Sequence, residues 1–225
     1  GSELVEPGLP LAPGQIPDSN SYTLTAAAKE AGAVVYRVGI VPDDSRRLLD
    51  TIEDQLIRAD LVVTSGGVSA GAYDVVREVL STLGTVTFER VAMQPGMPQG
   101  FGHVGEEKIP VFTLPGNPVS AFVSFEVFVR PAIRKMLGVA RLHRPSVRAV
   151  LQTTLRSPDG KRQFARAKLH ASNEGSYLVT PMEGQGSHLV GDLAYANALI
   201  VVPEHVTEIA PGQVVDAMLL ERRKG

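Results

Sequence analysis

The chain has 225 residues, 44% of them hydrophobic and 20% charged, with a formal net charge of −2. That length serves one large domain or two ordinary ones, and the composition excludes a disordered chain and argues against a general nucleic-acid binder. The absence of cysteine excludes disulfides, thiolate metal sites and cysteine nucleophiles and fits a cytoplasmic protein, and no apolar run approaches the roughly 18–20 residues of a membrane span.

Residues 1–20 carry Pro7, Pro10, Pro13 and Pro17 with Gly8 and Gly14. They read as an extended leading segment (1–18) with turns, lacking the basic start and apolar core of a signal peptide. An opening on Gly1 rather than methionine is expected of a fragment. Residues 19–31 then read as a helix, with Ser19 or Asn20 near its cap and Gly32 as its stop. Residues 33–41 are strand-like. Leu48, Leu49, Ile52 and Leu56 repeat at helical spacing, and Asp43, Asp44 or Ser45 can cap that helix. A short buried strand is expected over 61–64. Val75, Val76, Val79, Leu80 and Leu83 form the stripe of the next helix. Strands follow near 86–93 and 111–114, and residues 117–137 form an apolar helix.

This alternation predicts an α/β fold, a three-layer and mostly parallel sheet covered by helices, over residues 1–140. The character changes after Gly138. Strand candidates recur over 146–155, 163–170, 176–181, 198–203 and 213–220, separated by turn signals such as Pro158-Asp159-Gly160 and Pro211-Gly212. A small all-β domain is expected over 143–225, with 138–145 as the hinge.

The stretch from Thr64 to Asp74 concentrates the chemistry. A strand feeding a loop of Gly and Ser that opens a helix is a ready anion cradle, because glycine lets backbone N–H groups approach a phosphate. An ordinary tight βα turn is the alternative. The loop lacks the Gly-Lys-Ser/Thr ending of a Walker motif and the spacing of a dinucleotide fingerprint. Pro115-Gly116-Asn117-Pro118 is a second loop before a helix, readable as a well-made helix start or as the other wall of an anion pocket. Glu3, Asp43, Asp44 and Asp74 are the acidic candidates. A magnesium ion beside a bound phosphate needs one or two such carboxylates. Sites in such folds lie at the carboxyl ends of strands, so Asp43 and both loops are expected to converge. Residues 141–170 hold eight Lys or Arg against one acid, Asp159, which suits a solvated basic face or an anion-facing surface. Ser187-His188 are adjacent and so make a poor catalytic pair, though Ser187 can donate to an oxyanion.

Taken in order, Ser65-Gly66-Gly67-Val68-Ser69 with Asp74, then Gln94-Pro95-Gly96-Met97-Pro98, then Leu114-Pro115-Gly116-Asn117-Pro118-Val119-Ser120 closely resemble molybdopterin molybdenumtransferases of the MoeA type, to which a module of gephyrin is related. Asp18-Ser19-Asn20, Gly186-Ser187-His188 and Gly1-Ser2-Glu3-Leu4 resemble further motifs of the family. The resemblance covers essentially the whole chain.

The resemblance implies a molybdopterin-binding α/β domain of the MoaB/MogA kind followed by a C-terminal β-barrel, the last two of four domains of a homodimer subunit. It implies insertion of molybdenum from molybdate into adenylyl-molybdopterin with release of AMP, assisted by Mg2+. The adenylylated pterin would come from an upstream molybdopterin adenylyltransferase. Ser65, Gly66, Gly67, Ser69 and Gly71 match the pterin-phosphate loop, and Pro115, Gly116 and Asn117 its neighbour, with Asp18 and Asn20 also on the cofactor side. Asp43, Asp74 and Glu3 match catalytic acids, the two aspartates as metal ligands. Ser120, Arg166 and Ser187 match molybdate-binding positions. Many family members have lysines where this chain has Gln94 and Met97, which removes two charges from oxyanion binding, and Arg90 is the cation placed to compensate. A gephyrin-like scaffold and a single-domain adenylyltransferase are the alternatives, the latter disfavoured by the β domain.

Overall fold

A computed structural model describes residues 1–67, 75–173, 175–186 and 190–220. The chain divides into two compact units. One comprises Gly1–Val91 and Pro98–Leu142, the other Ala92–Met97 and His143–Gly225. Two consecutive ranges, as the sequence suggests, make no provision for 92–97 joining the second unit.

In the first unit, β1 (Leu4–Val5) and β2 (Ile16–Pro17) pair in parallel and lead into α1 (Asn20–Ala31), which Gly32 closes in the left-handed region. The strand expected over 33–41 does not form. Gly39 at φ +90° breaks the extended backbone, and Val34, Tyr36 and Val38 are exposed. Side chains rather than a ladder hold this stretch, with the Arg58 guanidinium 4.5 Å over the Tyr36 ring.

Asp44 caps α2 (Ser45–Leu56), accepting the Arg47 N–H at 2.8 Å. Then come β3 (Val62–Ser65), α3 (Val75–Leu83), β4 (Thr87–Arg90), β5 (Met93–Gln94, part of the second unit), β6 (Pro98–Val104) and β7 (Ile109–Leu114). A helical run closes the unit: α4 (Pro118–Ser124), a π turn over Phe125–Val129, and α5 (Arg130–Met136). The sheet runs β3-β7-β6-β4, parallel between β3 and β7 and antiparallel at the other two pairings. One face packs Val104 and Val111 against Leu48 and Ile52 of α2 and Val79 and Leu80 of α3. The other packs Leu114 against Ala27 and Ala31 of α1 and against Phe125, Val129 and Ile133. Helices on both faces make the three layers of the α/β class.

The second unit contains β8 (Ser146–Leu151), β9 (Leu155–Arg156), β10 (Arg162–Ala171), β11 (Tyr177–Pro181), α6 (Val190–Tyr195), β12 (Ala198–Val202), β13 (Glu208–Ile209) and β14 (Val214–Leu219). Pairing runs β11-β8-β14-β12-β10 and returns from β10 to β11, so five strands close into a barrel. Closure pairs each of the five strands on both sides along part of its length. Inward residues such as Leu151, Ala165, Val179, Ile200 and Ala217 fill the interior. β5 adds to β10 in parallel, aligning Met93 with Arg162 and Gln94 with Gln163.

Candidate active site

The parallel register of β3 and β7 pairs Ser65 with Leu114, so the Ser65-Gly66-Gly67 and Pro115-Gly116-Asn117 loops leave the sheet side by side at carboxyl strand ends. The Gly66 N–H donates back to the Leu114 carbonyl at 2.9 Å. Gly66 and Gly67 stand at φ +95° and +74°, a conformation that costs any other residue roughly 1–2 kcal/mol. Asn117 precedes α4 as its N-cap, its carbonyl accepting the Ala121 N–H at 2.9 Å, and Pro118 takes the first helical position.

One side chain joins the two loops. The Asn20 amide, at the start of α1, donates to Ser65 Oγ and to the Gly116 carbonyl, each at 2.7 Å. Ser65 Oγ in turn donates to the Pro115 carbonyl at 3.2 Å. Asp18 is buried and accepts the Ser21 N–H at 3.0 Å and the Ser21 hydroxyl. The Arg37 guanidinium lies 3.8 Å from the same carboxylate. Hydrogen bonds thus bring Asn20, Ser65, Gly66, Pro115 and Gly116 together, and Asp18 joins the group through Ser21, the residue after Asn20. Ser21 and Arg37 belong to it too, and sequence reasoning missed both. The Asp-x-x-Ser spacing of a side-chain turn was the available signal for Ser21, whereas nothing local marks Arg37.

The acids are placed differently. Asp43 accepts the Ser2 N–H at 2.9 Å, and its own N–H donates to Ser2 Oγ at 3.3 Å. The bond from the Ser2 amide holds the Asp43 carboxyl below the usual carboxylate range, against a smaller desolvation effect. Glu3 lies in the same leading segment, its carbonyl accepting the Ile16 N–H at 2.9 Å. The described bonds of Asp43 thus lead to the leading segment rather than to the loops. Its carboxylate is 60% exposed. Among the described residues no group of three or more His, Cys, Asp or Glu could hold a metal ion. Asp43 offers one exposed carboxylate, and a magnesium ion beside a bound phosphate takes one or two. Asp74, the other metal candidate, lies outside the described residues, as do Ser69, Gly71 and Ser187.

The remaining oxyanion candidates fall in separate units. Ser120 is buried in α4 and Arg90 is exposed at the end of β4, both in the first unit. Arg166 lies on β10 in the second, only 1% exposed. Its guanidinium donates to the carbonyls of Gly184 at 2.6 Å and Gly186 at 3.2 Å. Desolvation lowers its pKa from the ordinary arginine value, and Asp192 partly offsets this.

Comparison with known proteins bears on this geometry. Residues 1–135 match the model of a probable molybdopterin binding domain, and residues 148–220 match the MoeA C-terminal region (domain IV). The chain belongs to the MoeA family. It is 47% identical over 218 residues to molybdopterin molybdenumtransferase 2 of Mycobacterium tuberculosis, covering 94% of this chain and 53% of that protein. It is 35% identical over 216 residues to the molybdopterin molybdenumtransferase of Haemophilus influenzae, covering 96% and 53%. The crystal structure of a molybdopterin biosynthesis MoeA protein from Pyrococcus horikoshii superposes with a TM-score of 0.82 at 32% identity, covering 99% of this chain and 53% of that one. This MoeA-family chain thus spans about half the length of the curated relatives it matches. The α/β domain followed by a small β barrel is the architecture its sequence indicates.

Proposed function

We propose that this chain binds adenylyl-molybdopterin between the two glycine loops and takes part in inserting molybdenum from molybdate, with release of AMP. The observation that carries this reading is the pair of loops set side by side by the β3–β7 register and tied by Asn20, in a region matching a molybdopterin-binding family. The chain's own residues supply binding and orientation. Gly66 and Gly67 let the backbone approach a phosphate without side-chain obstruction, the Gly66 amide itself being held by Leu114, and Asn117 and Pro115 form the facing wall. Ser120 and Ser187 are the hydroxyl donors for molybdate, with Arg166 and Arg90 as cations to offset its dianionic charge. Gln94 and Met97 leave that charge to the arginines.

Homodimerisation, and supply of the adenylylated pterin by an adenylyltransferase, belong to the same proposal for the whole protein. So do the catalytic roles of Glu3, Asp43 and Asp74 and the dependence on Mg2+. The test is AMP release from adenylyl-molybdopterin and molybdate, with and without Mg2+, by this chain and by a full-length relative. Binding of adenylyl-molybdopterin by the chain, with turnover complete only in the full-length protein, supports the reading. Absence of binding refutes it.

A further inference from the structure

The family resemblance sets Asp18 and Asn20 among the residues that touch the cofactor, but their bonds describe a different task. Ser65 Oγ has one proton and sends it to the Pro115 carbonyl, so it accepts from Asn20. The Gly116 carbonyl can only accept. Both 2.7 Å bonds therefore use the Asn20 amino group, and the amide orientation is fixed by its partners. Both carboxylate oxygens of Asp18 go to Ser21, the residue after Asn20, which sets the first turn of α1. Arg37, 3.8 Å from Asp18, also donates to Ser21 Oγ at 3.1 Å. Glu6 places Arg37 in turn, through bonds of 3.0 and 3.4 Å, and the Tyr22 ring lies 4.4 Å beneath the guanidinium. A planar fork with several donors meets these demands together, and an ammonium does not.

We propose that Asn20 is the clasp that fixes the spacing of the two glycine loops. Arg37, acting through Asp18 and Ser21, is the positioning residue that holds Asn20 in place. This rests on the molybdopterin reading of the loops. Neither Asp18 nor Arg37 touches the ligand; they determine where the loop amides stand before it arrives.

The test reads two quantities: hydrogen exchange of the 62–67 and 114–121 amides in the ligand-free chain, and molybdopterin affinity by calorimetry. Asn20→Asp sets a carboxylate oxygen against the Gly116 carbonyl, and loop exchange should quicken and affinity fall, each about tenfold, the equivalent of one hydrogen bond. Asn20→Ser serves the same purpose if that variant does not fold. Asp18→Asn and Arg37→Ala should move exchange and affinity together, with Arg37→Lys recovering only part of both. Wild-type exchange in the Asn20 variants overturns the clasp. Weakened affinity with wild-type loop exchange in Asp18→Asn makes Asp18 a ligand contact and overturns its positioning role. A wild-type chain that fails to bind molybdopterin refutes the functional reading, while the exchange arm still decides the clasp.

Discussion

Gly66 and Gly116 stand within van der Waals reach of each other across the two loops: a methyl on Gly116 would sit 3.6 Å from the Gly66 Cα. The two glycines answer to different constraints. Gly66 has open space around its missing Cβ but a φ of +95°, so Gly66→Ala should cost roughly 1–2 kcal/mol of stability through the backbone. Gly116 lies outside the left-handed region, so Gly116→Ala should change stability by less than about 0.5 kcal/mol, as an unstrained substitution does, while narrowing the gap between loops. Urea unfolding and molybdopterin calorimetry separate the two. Gly66→Ala should lose stability first, and Gly116→Ala should lose affinity with a near-normal unfolding midpoint.

The Glu6–Tyr22–Arg37 group gives a pH dependence. The Tyr22 hydroxyl, then Arg37, holds the Glu6 carboxyl below its ordinary value of 4.5. A carboxyl lowered on folding contributes stability that is present above the unfolded value and lost as pH falls through the folded one. The same bond raises Tyr22 above its ordinary 10.0, so that contribution is present below pH 10 and lost as pH rises through the folded value. Glu6→Gln should flatten both the acid and the alkaline limb of the urea midpoint plotted against pH. Tyr22→Phe should shift the acid loss up toward pH 4.5. Limbs identical to wild type in both variants would show that the group does not couple to folding.

Much of the fold was legible because its signals are local. The Asp44 cap and the Leu48, Ile52, Leu56 stripe announce α2, and Gly32 ends α1 where expected. What escaped depends on distant partners. Residues 33–41 alternate like a strand, yet Arg37 is drawn to Glu6 and Asp18, 31 and 19 positions back. Residues 92–97 join the barrel through a parallel pairing with 162 and 163, which no window of sequence displays. In the site, the loops were visible as glycine and serine, but the bond from Asn20 spans 45 and 96 positions. The resemblance named Asn20 without indicating what it holds.

β6 went unread because Gly100 and Gly102 lower strand propensity. The structure shows why glycine stands there. A methyl on Gly102 would fall 2.2 Å from the Thr85 carbonyl oxygen, which belongs to backbone. Gly102→Ala must displace the 84–86 segment from β6, and overpacking of this kind costs about 1–3 kcal/mol. Thermal unfolding should show a lowered Tm. A Tm equal to wild type would mean the backbone there yields freely.

Arg166 separates a structural from a ligand-binding role. Its backbone N–H donates to Gln185 Oε1 at 3.0 Å, its carbonyl accepts from Gln185 Nε2 at 3.1 Å, and its guanidinium holds the Gly184 and Gly186 carbonyls. Removing the side chain takes away the charged donor to those carbonyls, at about 1.5–3 kcal/mol for a bond to a charged group, so Arg166→Ala should destabilise the barrel unit. A guanidinium has five N–H donors, so bracing the 184–186 loop and binding an oxyanion are compatible. Gln185→Ala loosens the same loop while keeping the charge. If Arg166 serves molybdate as proposed, Arg166→Lys in the full-length protein should raise the molybdate concentration needed for half-maximal AMP release by about tenfold, the worth of one charge-assisted bond. Gln185→Ala, matched to it in Tm, should raise that concentration far less. Equal effects in the two variants would confine Arg166 to holding the loop.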